Sequence, residues 1–310
     1  MLPGKLVSIV IPAFNETENI PRIVEVIEKL FSTMSYRYEI ILVADGCTDN
    51  TMETIRKLIE TNGQLYFIEL SRNFGHQLAL KAGLDHASGD CVICMDCDLQ
   101  HPVEIIPEML AKWESGYEVV YTIRQEDKKL PYSKRMTSNL FYKTMNSLSD
   151  VEIETGSADF RLLDKAVISV IRNFHENDPF LRGLIKWVGF RNISIPYYPN
   201  ERYCGKSKYS LKKMIRFALQ GVTSFSVRPL YGAIYLGFAF SMLSVMYLPY
   251  VLYAFHSGKE VSGWASIIMT IVFFGGLQLI ILGIIGIYVG KMFMQVKNRP
   301  NYIIRSTNTK

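Results

Sequence analysis

Two stretches of this 310-residue chain, residues 229–255 and 261–290, contain no charged side chain. Each exceeds the roughly 20 residues that an apolar helix needs to cross a bilayer. A fully soluble fold is therefore excluded. A polytopic transporter is excluded as well, because more than two-thirds of the chain precedes the first run. The two runs predict a helical hairpin, with spans at about 229–255 and 263–290 and a short connector at 256–260. Basic residues collect before the first span and after the second, at Lys291, Lys297, Arg299 and Arg305. By the positive-inside rule both flanks lie in the cytoplasm, and with them the large N-terminal part. The expected location is the cytoplasmic membrane, with a multi-pass anchor and a tail at 291–310.

Net charge separates the chain into two regions. Residues 1–195 carry 21 Lys and Arg against 27 Asp and Glu, whereas residues 196–310 carry 13 against 2. A basic segment beside membrane spans points to lipid phosphate rather than to nucleic acid. No aromatic-interleaved RNA-binding signature is present. Between Arg202 and Arg228 there are seven basic residues and no acidic one. Within that segment Leu211, Met214, Ile215, Ala218, Val222 and Phe225 recur at helical spacing. The pattern predicts an amphipathic helix over 209–228 lying in the membrane interface, with an ordinary packed helix as the alternative.

The first 125 residues alternate between two periods. Short β-branched runs at 6–11, 38–44, 65–70, 91–95 and 118–122 are separated by helix-period stretches such as Asn19–Phe31. This alternation predicts parallel βαβ units with right-handed crossovers, an α/β fold. Ligands on such sheets bind beyond the carboxyl ends of the strands. Further on, the pattern predicts a helix near 132–147 and a strand at 158–163. The apolar stretch 6–14 is too short for a span and lacks a cleavage site. Cys91, Cys94 and Cys97 form C-x-x-C-x-x-C, a spacing that can serve an iron–sulfur cluster. No fourth cysteine is near, and the run reads as a buried strand with free thiols. The odd count of five cysteines fits a reducing compartment.

Polar residues of interest follow the predicted strands. Asp96 and Asp98 stand two apart at the end of an apolar strand, an arrangement that on extended backbone turns both carboxylates to one side. Such a pair suits Mg²⁺ or Mn²⁺, whose remaining ligands can be diphosphate oxygens. A polar strand end is the plain alternative. Asp45 follows the second strand and can accept hydrogen bonds from a base or ribose, while Thr48 and Asp49 can equally cap the next helix. The first strand runs into Pro12-Ala13-Phe14-Asn15-Glu16, which offers an aromatic surface and a carboxylate. His76 and His101 flank these motifs and read as hydrogen-bonded structural residues, with contact to phosphate or metal as the alternative. Trp187 and Trp264 read as packing or interfacial anchors. Gly275-Gly276 and Gly283-x-x-Gly286 predict close helix packing and leave a homo-oligomer open.

Together these strand ends resemble the family 2 glycosyltransferases of the GT-A fold. Four further motifs resemble the polyprenyl-phosphate branch of that family: Ser71-Arg72-Asn73-Phe74-Gly75-His76, Asp96-Cys97-Asp98-Leu99-Gln100-His101-Pro102, Thr155-Gly156-Ser157-Ala158-Asp159-Phe160-Arg161, and Arg202-Tyr203-Cys204-Gly205-Lys206-Ser207-Lys208-Tyr209-Ser210. The resemblance implies a GT-A catalytic domain over 1–208. It implies a nucleotide-sugar donor held by Pro12, Phe14, Glu16, Asp45, Asp96 and Arg124. It implies Mg²⁺ or Mn²⁺ on Asp96, Asp98 and Gln100, and Asp159, Asp98 and Arg135 in catalysis. Arg202, Lys206 and Lys208 then meet the phosphate of a polyprenyl acceptor. One position departs from the family pattern: Ala44 stands where a first aspartate is usual, which weakens a base or ribose contact.

The implied reaction is inverting transfer of one sugar, first of all glucose from UDP-glucose, to undecaprenyl phosphate at the cytoplasmic face. GDP-mannose and an amino-sugar donor remain alternatives. A polysaccharide synthase is disfavoured, because residues 180–187 do not supply the Q-x-x-R-W motif. A catalytically silent binder of nucleotide sugar or lipid carrier is the reading from another class.

Overall fold

The computed structural model describes residues 4–125, 156–177, 179–200, 223, 226–257 and 263–309. The helix expected at 132–147, Arg135, Arg202, Lys206, Lys208 and nearly all of the helix expected at 209–228 lie outside the described residues, as does most of the expected connector.

Strands β1 (Leu6–Ala13), β2 (Arg37–Ala44), β3 (Leu65–Leu70) and β4 (Cys91–Cys94) alternate with helices α1 (Asn19–Phe31), α2 (Thr51–Thr61) and α3 (His76–His86). After α4 (Ile106–Glu114) come β5 (Val119–Arg124), β6 (Ser157–Asp164), α5 (Lys165–Arg172), α6 (Leu181–Trp187) and β7 (Asn192–Tyr197). Two long helices follow, α7 (Arg228–His256) and α8 (Trp264–Val296), and the chain closes with β8 (Ile304–Thr307).

Eight strands make one sheet in the order β7-β5-β6-β4-β1-β2-β3-β8. The parallel pairing expected from the alternation holds for β1 with β2 and β4, and for β2 with β3. Two strands run the other way. β6 enters antiparallel between β4 and β5, and β8 pairs antiparallel with β3. Strand β1 shows why both sheet faces are covered: Val7, Ile9 and Ile11 belong to one apolar cluster and Val10 to the other. Side chains that alternate across a pleat and are buried on both faces require helices on both faces. Helices α1 and α4 supply one layer, while α3, α5 and α6 supply the other.

Helix α3 lies close to the sheet because Gly83 has no side chain. A Cβ there would sit 2.2 Å from Val10 Cγ1 and 3.1 Å from Val43 Cγ2. Cys91, Cys94 and Cys97 are buried free thiols, as the plain reading expects. Burial pushes Cys94 up to about 12, and Cys91 and Cys97 are raised as well.

The two long helices run antiparallel. Phe240 of α7 meets Phe273 and Phe274 near the start of α8, and Tyr288 Oη near its end donates to Ser226 O just before α7, at 2.7 Å. Among the described residues one segment, Met269–Val296, is long and apolar enough to cross a membrane, and it is unburied. The segment 291–310 is not a free tail: α8 continues to Val296, and residues 304–307 join the catalytic sheet. Among the described residues, a Cβ at Gly275, Gly276, Gly283 or Gly286 would meet nothing within 4 Å.

Gly83→Ala is expected to lower stability by about 1–3 kcal/mol, the cost of overpacking a tight contact. Chemical denaturation of the variant beside the wild type measures it.

Candidate active site

The carboxyl ends of β1, β2 and β4 open on the same edge of the sheet, and the loops beyond them are tied together. Asn15, at φ 56°, accepts the Thr48 N–H at 2.9 Å. Thr17 donates to Asp49 at 2.7 Å, and the Glu16 N–H donates to Thr51 Oγ1 at 2.9 Å. Asp49 Oδ1 also accepts the Thr51 N–H at 3.1 Å, so it secures the start of α2, one of the two roles the sequence allows.

Asp45 is buried, and its two oxygens accept the N–H groups of Phe74 and Gly75 at 2.7 and 2.9 Å. Burial pushes its carboxyl up, and these two bonds oppose the shift. The carboxylate therefore anchors the loop 71–75, which the sequence did not suggest. Gly46 makes the close approach possible. Its φ is +62°, and a Cβ on it would fall 2.2 Å from the Arg72 carbonyl carbon and 2.3 Å from the Asn73 nitrogen.

The centre of the site is Asp159 on β6. Arg182 Nε and Nη2 grip its carboxylate at 2.8 and 2.9 Å. Arg161 Nη2 adds a bond at 3.1 Å, Gln77 Nε2 one at 3.3 Å, and His76 Nε2 stands 3.4 Å away. Burial by itself would raise this carboxyl. The Arg182 charge and bonds, with His76 and Arg161, hold it well below the usual carboxylate range. His76 Nε2 also lies 3.5 Å from Asp96 Oδ1, so the imidazole bridges carboxylates from two strands. Burial pulls its pKa down, but the bond to Asp159 and the charges of Asp96 and Asp159 leave it raised to about 9. With 42% of its side chain exposed at the cleft mouth, desolvation is partial and the carboxylates set the direction.

Asp96 and Asp98 lie beyond β4, which ends at Cys94, in a turn where Leu99 takes φ 61°. The extended-strand geometry expected for this pair does not apply. Both aspartates are half-buried, on either side of buried Cys97. Asp98 Oδ1 accepts the Gln100 N–H at 3.2 Å. The Asp96 N–H donates to His101 Nδ1 at 3.0 Å, and the His101 ring stacks on Phe160 at 4.9 Å. His101 is buried and its pKa lowered by burial, as suits a structural histidine, whereas His76 sits between two carboxylates. Among the described residues no three His, Cys, Asp or Glu side chains are grouped to hold a metal ion. Asp96, Asp98 and Gln100 carry hard oxygen donors within five residues of sequence, fewer than a full coordination shell. That set fits a small divalent cation whose other ligands come from a bound phosphate, and it does not fit an all-protein cage.

The remaining expected residues fall into two groups. Phe14 and Glu16 are half-buried at the β1 loop, and Glu16 Oε2 accepts Asn19 Nδ2 at 2.6 Å. Pro12 is buried inside β1 opposite Val43. Arg124 is exposed at the end of β5. The Asn200 N–H donates to Gln100 O at 3.1 Å, so the segment leading to Arg202, Lys206 and Lys208 departs from the Asp96–Asp98 turn.

Sequence reasoning missed Arg182 and Gln77. Arg182 carried a signal: it stands among Phe180, Leu181, Leu184 and Ile185, and a cation within an apolar stretch requires a buried anion. Gln77 carried none.

Residues 8–172 match the family model described as "Glycosyl transferase family 2". The chain belongs to glycosyl transferase family 2. It is similar along nearly its whole length to other chains of that kind. An uncharacterized glycosyltransferase of Bacillus subtilis (strain 168) is 38% identical over 301 residues, covering 97% of this chain and 93% of that one. The SfII prophage-derived bactoprenol glucosyl transferase of Shigella flexneri is 37% identical over 303 residues, covering 97% and 98%. Among solved structures, a glucosyl-3-phosphoglycerate synthase from Mycobacterium tuberculosis aligns at 18% identity with TM-score 0.47, over 71% of this chain and 76% of that one.

Two substitutions test this family 2 site. Asp159→Asn leaves Arg161 and Arg182 without their buried anion and is expected to cost about 3–5 kcal/mol. Because the native carboxyl is lowered, its contribution is present above the unfolded-state pKa near 4 and is lost as pH falls through the native value. The wild-type advantage over Asp159→Asn in thermal unfolding is therefore expected to be full at neutral pH and to shrink under acid. Gly46→Ala is expected to displace the 71–75 loop and weaken nucleotide-sugar binding at least ten-fold, an order-of-magnitude figure for misplaced binding groups, as calorimetry with a panel of nucleotide sugars would record.

Proposed function

We propose that this family 2 chain transfers a single sugar, glucose from UDP-glucose in the first instance, to a polyprenyl phosphate at a membrane surface. One observation carries the reading. The half-exposed carboxylates of Asp96 and Asp98 stand beside the Arg182–Asp159–His76 cluster, at the strand ends where such sheets bind ligands. The relatives named bactoprenol glucosyl transferases, similar over 96–98% of this chain, support the acceptor class and the sugar.

The chemistry needs no strong base, because a prenyl phosphate is already anionic at neutral pH. The site must align two anionic substrates and absorb the charge of the leaving diphosphate. Asp96, Asp98 and Gln100 would hold Mg²⁺ or Mn²⁺, which supplies Lewis-acid charge at the diphosphate. Phe14, Glu16, Asp45 and Arg124, with Pro12 behind them, frame the nucleoside side. Asp45 contributes by fixing the 71–75 loop. Asp159 keeps Arg182 and His76 aimed at the same space, where their charges favour a phosphate or a hydroxyl-bearing sugar. Arg135 is assigned a phosphate contact, and Arg202, Lys206 and Lys208 the lipid phosphate. Attack in line at the anomeric carbon inverts configuration.

For the membrane arrangement we propose a hairpin of α7 and α8 preceded by an interface segment at 209–228, with the catalytic unit in the cytoplasm. Support comes from the flanks: the start of α7 is bonded to Tyr288 near the end of α8, and the end of α8 and β8 are bonded to the catalytic body, so any crossings come in pairs.

The test uses purified full-length protein in lipid nanodiscs with undecaprenyl phosphate, Mg²⁺ or Mn²⁺, and a panel of nucleotide sugars. Mass spectrometry is expected to find lipid-phosphate hexose from UDP-glucose, with turnover reduced about 10²–10³-fold in Asp98→Asn, the scale of losing one electrostatic stabiliser. Nucleotide-sugar binding without glycolipid from any donor would overturn the reading in favour of a silent binder.

A further inference from the structure

The segment that follows α8 does more than end the chain. After Val296 it crosses to the sheet, where its contacts fall on α3, β3 and Ser71, the first residue of the loop after β3. Tyr302 Oη donates to Asp85 Oδ2 at 2.9 Å, and Asp85 Oδ1 is paired with the buried Lys81 at 2.5 Å, so Tyr302 satisfies the second oxygen of an ion pair on α3. Ile303 O accepts the Ser71 N–H at 2.8 Å, and Arg305 Nη2 donates to Ser71 O at 3.1 Å. Ser306 Oγ donates to Glu69 at 2.6 Å, and Asn308 Oδ1 accepts the Phe67 N–H at 2.6 Å.

Both backbone groups of Ser71 are therefore held by this segment. Ser71 opens the loop whose other end is held by Asp45 through Phe74 and Gly75. The loop delivers His76 to Asp96 and Asp159. At its other end the segment starts from α8, whose last turn is fixed to the catalytic body: Asn177 N–H donates to Gln295 Oε1 at 3.1 Å, and Gln295 Nε2 donates to His175 O at 2.9 Å.

We propose that residues 302–308 are a positioning strap, in which Tyr302 and Arg305 set the 71–76 loop, and with it the donor site, from the end of the apolar helix. Neither residue touches the reacting groups; both act through Ser71 and α3. The proposal rests on the reading of that loop as part of the donor site.

The experiment is hydrogen–deuterium exchange on the full-length protein in nanodiscs, alongside donor kinetics. The variants are Tyr302→Phe/Arg305→Ala, a truncation after Asn301, and Arg56→Ala as control. Arg56 binds the same Glu69 at 3.4 Å but has no bond to Ser71. The double variant is expected to exchange on the order of ten-fold faster at 71–76 while the core strands keep their protection. Donor KM is expected to rise on the order of ten-fold with kcat near the wild type, as for a displaced binding loop. Tyr302→Phe/Arg305→Lys should recover much of both, and Arg56→Ala should match the wild type. Unchanged exchange at 71–76 in the double variant overturns the proposal, as does faster exchange with an unaltered donor KM. If the truncated chain unfolds, the double variant alone decides. If the wild type transfers no sugar while 71–76 still loosens in the variants, the mechanical link stands and the functional reading alone falls.

Discussion

The buried pairing of Asp159 with Arg182 and Arg161 is the interaction on which the site depends. A carboxylate this enclosed is costly unless its charge is matched and its oxygens are bonded, and a guanidinium gripping both oxygens does both. The pairing also ties together elements distant in sequence. Asp159 is on β6, Arg182 on α6, Gln77 and His76 open α3, and Asp96 follows β4. Each of these is placed by its own packing, and the ion cluster fixes their relation.

The second constraint is backbone against backbone. The β2 end approaches the 71–75 loop so closely that residue 46 has no room for a side chain. Asp45 then bonds two amides of that loop. A carboxylate in this place is read from sequence as a ligand-binding group, and in the fold both of its oxygens also accept loop amides. Asp96 differs: its N–H is committed to His101, while its carboxylate stays half-exposed and near a cation. Two aspartates that look alike as letters thus divide into a scaffold and an open donor.

Much of this was legible beforehand. Asn19–Phe31 and Leu65–Leu70 appear with the boundaries their periodicity gave, because a long amphipathic stretch and a short β-branched run each fix their own type. Pairing order was less legible. Nothing local in β6 says that it enters between β4 and β5 in reverse, and nothing in Ile304–Thr307 says that it meets β3, more than 200 residues earlier. Partner choice depends on tertiary context, which no window contains. The acidic motifs were found because they follow apolar strands. Arg182 was seen only as part of a motif that fails, although its apolar neighbours already demanded a buried anion.

The position of β8 bears on the order in which the chain is made. A ribosome delivers the N-terminal strands first, and the β3 edge then stands with unpaired amides and carbonyls, an open template for other chains. Its natural cover is encoded beyond α7 and α8, so the sheet cannot close until both hydrophobic helices have left the ribosome. Completion of the catalytic body is thereby delayed until both long helices have been made. A nascent chain stalled before residue 304 carries a nearly whole domain with one adhesive edge, which makes that stage of synthesis the one most dependent on chaperones.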